Sequence, residues 1–556
     1  MLPHYAKYGL WMALGIVIGL IMSRAVSLDM VKSKLALKNL DSLQIWQKIA
    51  VTRRIPKAAR RFAQDRAALL WVSRMQQREI GAPRNEKMVL PPGESVEVPL
   101  MWVTELYTPT SFENLRAGLY RLLRAADIRD IDSKLSSIEA CRRGGGYWSN
   151  LVWLQSRTST RFNPQAVRMD LPDGIESIRL EIASVTSSTT ALVGSFTFND
   201  DRSRELNAIV SRPPAGAVER KSGRQASYIY ADSARVKEVQ DWFLQLQNLA
   251  TKFISSRMPG SLSRLSRSPL PAVTIMVAKD LEPWQERPAG PSTYLEILGL
   301  TSLDGYWENS KFPGLRLNDA RSTFHFGKPF GRHLMLAVRR EALVAMTTNR
   351  HSSHLEDADS RARESLHTLD AYLIAGTCIR WAVIEWLSSL EADLAELRDL
   401  IDKNAKNRSG RWLEELRVRH IRTSLDGRIV VKELIDRANL RRMKFPMDTD
   451  FVKVRPGHED EGSNLSDAMM TQIEARGKRV VEFEADLGEL LSTNADLAMA
   501  DQNLRLARKV SLLTVASVVV AVLSLLVAVG AIIVTVRPDF IGSGSTLSPG
   551  NGSGTK

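Results

Sequence analysis

At 556 residues the chain has room for about three or four domain-sized units, which excludes a single small module. Its 44% hydrophobic and 25% charged content is that of globular protein and excludes both a disordered chain and a polytopic transporter. The net charge of +14 gathers near the N-terminus, and two cysteines, Cys141 and Cys378, are too few for a disulfide framework, which points to a reducing compartment.

Residues 1–24 form a first hydrophobic segment, in which Tyr8 to Ser23 carries no charge between Lys7 and Arg24. We read it as a short uncleaved transmembrane helix. The alternatives are a cleaved signal, for which Ser23-Arg24-Ala25 is a poor small-x-small site, and a soluble helix. Gly15 and Gly19 are four apart, so they share a face on which a second span could pack closely.

Residues 25–90 read as a basic helical region broken at Ile55-Pro56. Lys32, Lys34, Lys38, Arg53, Arg54, Arg60 and Arg61 are candidates for contact with anionic lipid headgroups, worth ~1 kcal/mol each at the surface. A solvated helix face is the equal alternative. Nucleic acid is disfavoured as a partner, since beyond Trp46 and Trp71 the stretch lacks regularly interleaved aromatics and membrane tethering makes it a poor fit.

Pro91-Pro92-Gly93 opens an α+β region over 91–345. Val96 to Tyr107 has strand composition, and Thr110-Ser111-Phe112-Glu113 has capping-box spacing ahead of a helix through Leu115, Leu119, Leu122 and Leu123. Strands are expected at Ser177–Val185 and Thr190–Phe198, joined by a turn, then an amphipathic helix at Val236–Phe253 stopped by Pro259-Gly260. Short strands are expected at Ala272–Val277, Tyr294–Leu298 and Leu334–Val338.

Over 355–445 the pattern is a helical hairpin. Leu373, Gly376, Arg380, Val383, Leu387, Leu390, Leu394, Leu397 and Ile401 form one seam, facing a second helix from Arg411 to Arg442. Cys378 sits in this apolar pattern as a small core residue. An acidic linker follows over 446–465, then a stalk helix over 466–509, a transmembrane helix over 510–536 and a disordered tail over 537–556.

Val510 to Val536 carries no charge and is longer than the ~20 residues that a bilayer core requires. Arg505, Arg508 and Lys509 precede it and only Arg537 follows closely, so the lysine and arginine asymmetry places the body in the cytoplasm and the tail outside the cell membrane. Along the stalk, Val480, Phe483, Leu487, Leu490, Asn494, Leu497, Asp501 and Leu504 make a coiled-coil seam, with Asn494 and Asp501 as polar register positions. Ser511, Thr514, Ser517 and Ser524 belong to a small-residue face of the span. Together these predict a homo-oligomer, the alternative being that the seam packs on the chain's own hairpin.

The order of an α+β body, long helices from about Leu373 and a helix running from Ser466 into the membrane resembles CorA-type cation channels over roughly the last 190 residues. The resemblance implies an oligomer with stalk helices converging on membrane spans. The chain departs from that pattern in having neither a Gly-Met-Asn loop after the span nor a second C-terminal span, so no functional residue carries over.

No reaction-specifying motif is present. Gly327-Lys328 is followed by Pro329 and lacks the upstream glycine of a phosphate loop, and there is no HExxH, GxSxG or CxxC. Arg142-Arg143-Gly144-Gly145-Gly146 could wrap an anion but reads better as a helix C-cap. His351, His354, Glu356, Asp357 and Asp359, like the acidic loop around His458, lack the spacing of a metal site. No cofactor is expected. The expected function is a membrane-tethered cytoplasmic oligomeric scaffold, sensor or effector; the alternatives are a membrane conduit for ions and an enzyme with an unrecognised site in 91–345.

Overall fold

The computed structural model describes most of residues 88–404 and 427–536, with short gaps in their loops, together with scattered residues between 44 and 75 and at 416–421. The expected N-terminal span with Gly15 and Gly19, the lipid-contact candidates Lys32, Lys34, Lys38, Arg53, Arg54, Arg60 and Arg61, most of the acidic linker and the tail lie outside the described residues.

The elements run in order β1 (Val96–Tyr107), α1 (Phe112–Ala125), α2 (Ile131–Gly144), β2 (Trp148–Ser156), β3 (Val167–Met169), β4 (Ile175–Ser184), β5 (Thr190–Phe198), α3 (Asp200–Ser211), β6 (Ala217–Lys221) and β7 (Gln225–Ile229). They continue with α4 (Ala231–Arg257), α5 (Ser261–Leu265), β8 (Ala272–Ala278), α6 (Tyr294–Ile297), β9 (Tyr306–Asn309), β10 (Arg316–Asn318), β11 (His333–Arg339) and α7 (Arg340–Thr348). The last are α8 (Ala358–Thr368), α9 (Ala375–Asn404), α10 (Lys432–Asn439) behind a π turn at Gly427–Val431, β12 (Phe451–Val454) and α11 (Leu465–Val536). The fold is mixed α+β. The chain divides into two compact units, Met1–Ala392 with Leu425–Val481, and Asp393–Ser424 with Glu482–Lys556.

In the first unit a ten-stranded sheet has the order β12-β9-β10-β11-β8-β1-β5-β4-β2-β3. Among the described residues only β11 with β8 and β2 with β3 pair in parallel. Directly opposed residues share a face and successive residues alternate, so the registers sort the side chains. Trp102 lies opposite Ser195, and Ser195 opposite Arg179, on one face. Met101 lies opposite Phe196, and Phe196 opposite Ile178, on the other. The second face is covered by α4, where Phe253 meets Phe196 edge-on at 5.9 Å. Gly194 makes that approach possible: a Cβ there would lie 3.0 Å from Ile254 Cδ1. Trp102, Phe196, Phe243 and Phe253 are fully buried, each contributing about 2–3 kcal/mol of transfer free energy. On the first face Trp153 of β2 stacks at 5.0 Å on His367 of α8.

Three expectations are corrected. Tyr294–Ile297 is a helical turn, its Leu298 N–H donating to the Tyr294 carbonyl at 3.0 Å, because four apolar-rich residues do not distinguish strand from helix. The expected linker contributes a strand: β12 pairs antiparallel with β9 and extends the sheet beyond residue 345. The helix cap lies one residue later than the Thr110-to-Glu113 spacing implies: Ser111 is the N-cap, and its hydroxyl accepts from the Thr108 N–H at 3.0 Å instead of from its own helix.

Candidate functional site

The sequence directs attention to α11, one uninterrupted helix of 72 residues, about 108 Å long. Its first part is held by the body. Met470, Ile473 and Val480 are buried, and Arg476 and Arg479 pair with Glu391 of α9 at 3.2 and 3.4 Å. Gly477 is needed for this packing, because a Cβ there would lie 2.6 Å from Ile435 Cγ1 of α10. Within the second unit, Arg398 of α9 sits over the Phe483 ring at 5.5 Å, and Arg419 pairs with Asp393 and Glu396. Leu487 and Leu491 are buried there. The early seam positions Val480 and Leu487 are thus covered by the chain's own helices, as the hairpin alternative expected.

Beyond Leu491 the helix is bare. The half-buried Asn494 turns its Nδ2 onto the Leu490 carbonyl of its own helix at 2.8 Å, while Leu497, Met499, Leu504 and Leu506 are exposed. The position of Asp501 is helical, and its side chain lies outside the described residues.

From Val510 to Ile533 the helix is apolar on all sides and exposed save for the half-buried Gly530, with a mean hydropathy of 2.9 over its most apolar 18 residues. A helix without a polar face is not suited to water. It is long and apolar enough to cross a membrane. Thr514 donates to the Val510 carbonyl at 2.8 Å and Thr535 to Ala531 at 2.7 Å, so these two hydroxyls are satisfied inside the helix, as a hydrocarbon environment demands. Ser511, Ser517 and Ser524 are exposed on the same helix.

The body contains buried polar groups for which composition and periodicity gave no signal. Glu105 of β1 is fully buried. Its Oε1 accepts from the Leu106 and Leu262 amides at 3.0 and 2.9 Å, and its Oε2 from the Ser263 amide at 3.1 Å and the Ser263 hydroxyl. Burial pushes its pKa up to about 7 against the pull of these donors. Glu105 thereby serves as a remote cap for α5, whose first amides have no partner within the helix. Next to it the Thr108 and Ser111 hydroxyls meet Ser261 Oγ at 2.7 and 3.0 Å.

Two further buried groups have local partners. Arg179 and Glu181, both on β4, form an ion pair, and Arg179 donates through Nε and Nη2 to Asn150 Oδ1 at 3.1 and 2.6 Å. His333 of β11 meets Thr274 Oγ1 at 2.5 Å and lies 5.1 Å from the Phe243 ring, and burial lowers its pKa to about 4, so it is neutral. At the β4–β5 turn, Glu433 of α10 accepts from Ser187 Oγ at 2.7 Å and from Ser188 N and Oγ at 3.2 and 2.6 Å. Burial there works to raise its pKa, but the hydrogen bonds from Ser188, Thr186 and Ser187 outweigh it and hold the carboxylate below its ordinary value.

Glu105, His333 and Glu433 join elements distant in sequence, and Arg179 joins β4 to its neighbour β2. Among the described residues no group of three or more His, Cys, Asp or Glu side chains could hold a metal ion. Of the looser sequence candidates, Gly144 ends α2, while the histidines at 351, 354 and 458 lie outside the described residues. Cys378 is buried in α9. No family model, curated protein or solved structure matches the chain.

Proposed function

We propose that the protein is a membrane-tethered scaffold or effector whose α+β body works at the cytoplasmic face of the cell membrane and whose copies associate through α11. The observation that carries this reading is the continuity of α11. One helix begins among the buried side chains Met469 and Met470 and ends in an uncharged run whose most apolar 18 residues are unburied. Arg505, Arg508 and Lys509 stand immediately before that run, which supports a cytoplasmic body with the tail outside. The N-terminal hydrophobic segment adds a second tether, and its basic sequel contacts anionic headgroups.

The reading is tested in two steps on the full chain. Membranes washed with alkaline carbonate should retain the protein; complete release would refute the tether. With Cys141 replaced by serine, a new cysteine at Ser545 should react with an impermeant thiol reagent in intact cells, and one at Ser463 should not. Labelling at Ser463 alone would reverse the orientation while leaving the tether intact.

A further inference from the structure

We propose that α10 is a strap that locks the start of α11 to the sheet, with Glu433 as its catch, so that the β4–β5 turn and α11 are held together only while the catch is closed. The β4–β5 turn, α10 and α11 as far as Val481 all belong to the first unit, so the strap stands or falls independently of the tether and the self-association read above.

Residues four apart on an α-helix share a face, and residues two apart point about 200° apart. Ile435 and Asn439 therefore stand on one side of α10, and Glu433 nearly opposite Ile435. Both sides are engaged. On the first, a Cβ on Gly477 of α11 would lie 2.6 Å from Ile435 Cγ1 and 3.4 Å from Val431 Cγ1. Asn439, with its amide nitrogen turned toward α11, donates to Glu474 Oε1 and Oε2 at 2.8 and 2.7 Å. On the second side, Glu433 accepts from the hydroxyls of Ser187 and Ser188 and from the Ser188 amide. One short helix thus bridges a turn of the sheet and α11.

α10 has eight residues, preceded by a π turn of rare geometry. Isolated helices shorter than about 12–15 residues are marginal in water, so its helical state is sustained by what it touches. Removing the Glu433 bonds takes charged hydrogen bonds from one side, and a helix this short opens as a unit, drawing Ile435 away from Gly477 on the other. Leu434 and Ala438 are buried between the two sides, so loss of the catch makes opening more frequent without abolishing the closed state.

Ile473 and Val480 stand four before and three after Gly477, on the same side of α11, and both are buried. An open strap uncovers apolar surface there. A second hold on this part of α11, the partly exposed pairing of Arg476 and Arg479 with Glu391 of α9, is of a kind that contributes little. The grip on α11 therefore follows the state of Glu433.

Hydrogen exchange of the full chain in detergent micelles, read by mass spectrometry over residues 427–439 and 465–481 with β1 as internal reference, tests this. Glu433→Gln, and separately Ser187→Ala with Ser188→Ala, should each raise exchange about tenfold in both segments and leave β1 unchanged, tenfold being the factor by which lost charged hydrogen bonds shift an opening equilibrium. Combining the three substitutions should add nothing further, because all remove the same catch. Faster exchange over 427–439 with 465–481 at the parent rate would overturn the strap. Unchanged exchange over 427–439 would overturn the catch. If β1 also loosens in Glu433→Gln, the serine variant, which alters only an exposed and a half-buried hydroxyl of the turn, decides by the same two readings.

Discussion

Glu105 accepts a hydrogen bond at 2.9 Å from the backbone N–H of Leu262, a residue 157 positions away, and so ties the end of β1 to the start of α5. The junction has no slack, because a Cβ on Gly260 would lie 2.5 Å from both Glu105 Cγ and the Leu106 carbonyl oxygen. Glu105→Gln leaves the shape but sets an amide NH2 among amide donors. Leaving such a donor without an acceptor costs about 1–3 kcal/mol. Gly260→Ala should cost at least as much, since the atoms it meets include backbone. Urea unfolding of both variants checks this; a midpoint within error of the parent for Glu105→Gln would show that the carboxylate is not required as an acceptor.

The pH dependence of the body should contain two opposed contributions. His333 has its pKa lowered to about 4 from 6.5, so the unfolded chain takes up its proton first, and the stability this group contributes, complete above 6.5, is lost as pH falls toward 4. Glu105 has its pKa raised to about 7 from 4.5, so the folded state takes up its proton first, and stability is gained as pH falls from 7 toward 4.5. Between about 4.5 and 6.5 the two slopes cancel, each alone being worth about 3 kcal/mol over its full range. Relative to the parent, His333→Gln should become more stable on acidification through this window and Glu105→Gln less stable. Unfolding free energies at pH 7 and pH 5 decide it, and equal changes in both variants would contradict the opposed assignment.

The strands and helices of the body were legible where periodicity was long. Val96–Tyr107, the pair around the Thr186–Thr189 turn and the helix through Trp242 and Phe253 all appear as expected, since the strands are runs buried on both faces and the helix buries one continuous face. The sheet order was not legible, because β12 reaches β9 across more than a hundred residues and four-residue strands lack a period. The apolar helix was legible from composition alone, as it needs no tertiary partner to be read. Glu105, Arg179 and His333 were invisible for the opposite reason. A charged residue in a strand announces exposure, and only the three-dimensional position of Leu262, Asn150 or Thr274 reveals the partner that lets it stay buried.

Glu433 should hold α10 against the β4–β5 turn through its bonds to Ser187 and Ser188. Its depressed pKa means that this contribution is present at neutral pH and above its ordinary value, and is lost as pH falls through the folded pKa. Glu433→Gln should cost about 1–2 kcal/mol, the usual loss when a charged acceptor becomes neutral. Amide exchange at Ser188 should rise with it, while exchange in the core strand β1 stays unchanged. Unchanged exchange at Ser188 would show that the turn stands without α10.

Removal of residues 510–556 should leave the body held at the membrane by the N-terminal segment alone and folded as tightly as before. From Leu497 to Ile533 the described apolar side chains of α11 are exposed, so the run contributes no core, whereas the buried positions Ile473, Val480 and Leu487 all precede it. The hydrophobic effect scales with area removed from water, and deleting side chains that bury none against the chain subtracts nothing from that term. The truncated protein should therefore keep a cooperative unfolding transition at the Tm of the detergent-solubilised parent, to within a few degrees. Its self-association should weaken, because the exposed seams at Leu497 and Leu504 lose the parallel alignment that a shared bilayer imposes. A fall in Tm of more than about 5 °C, roughly 1 kcal/mol for a domain of moderate size, would mean that the apolar run is buried by the body in the native protein and is not a membrane helix.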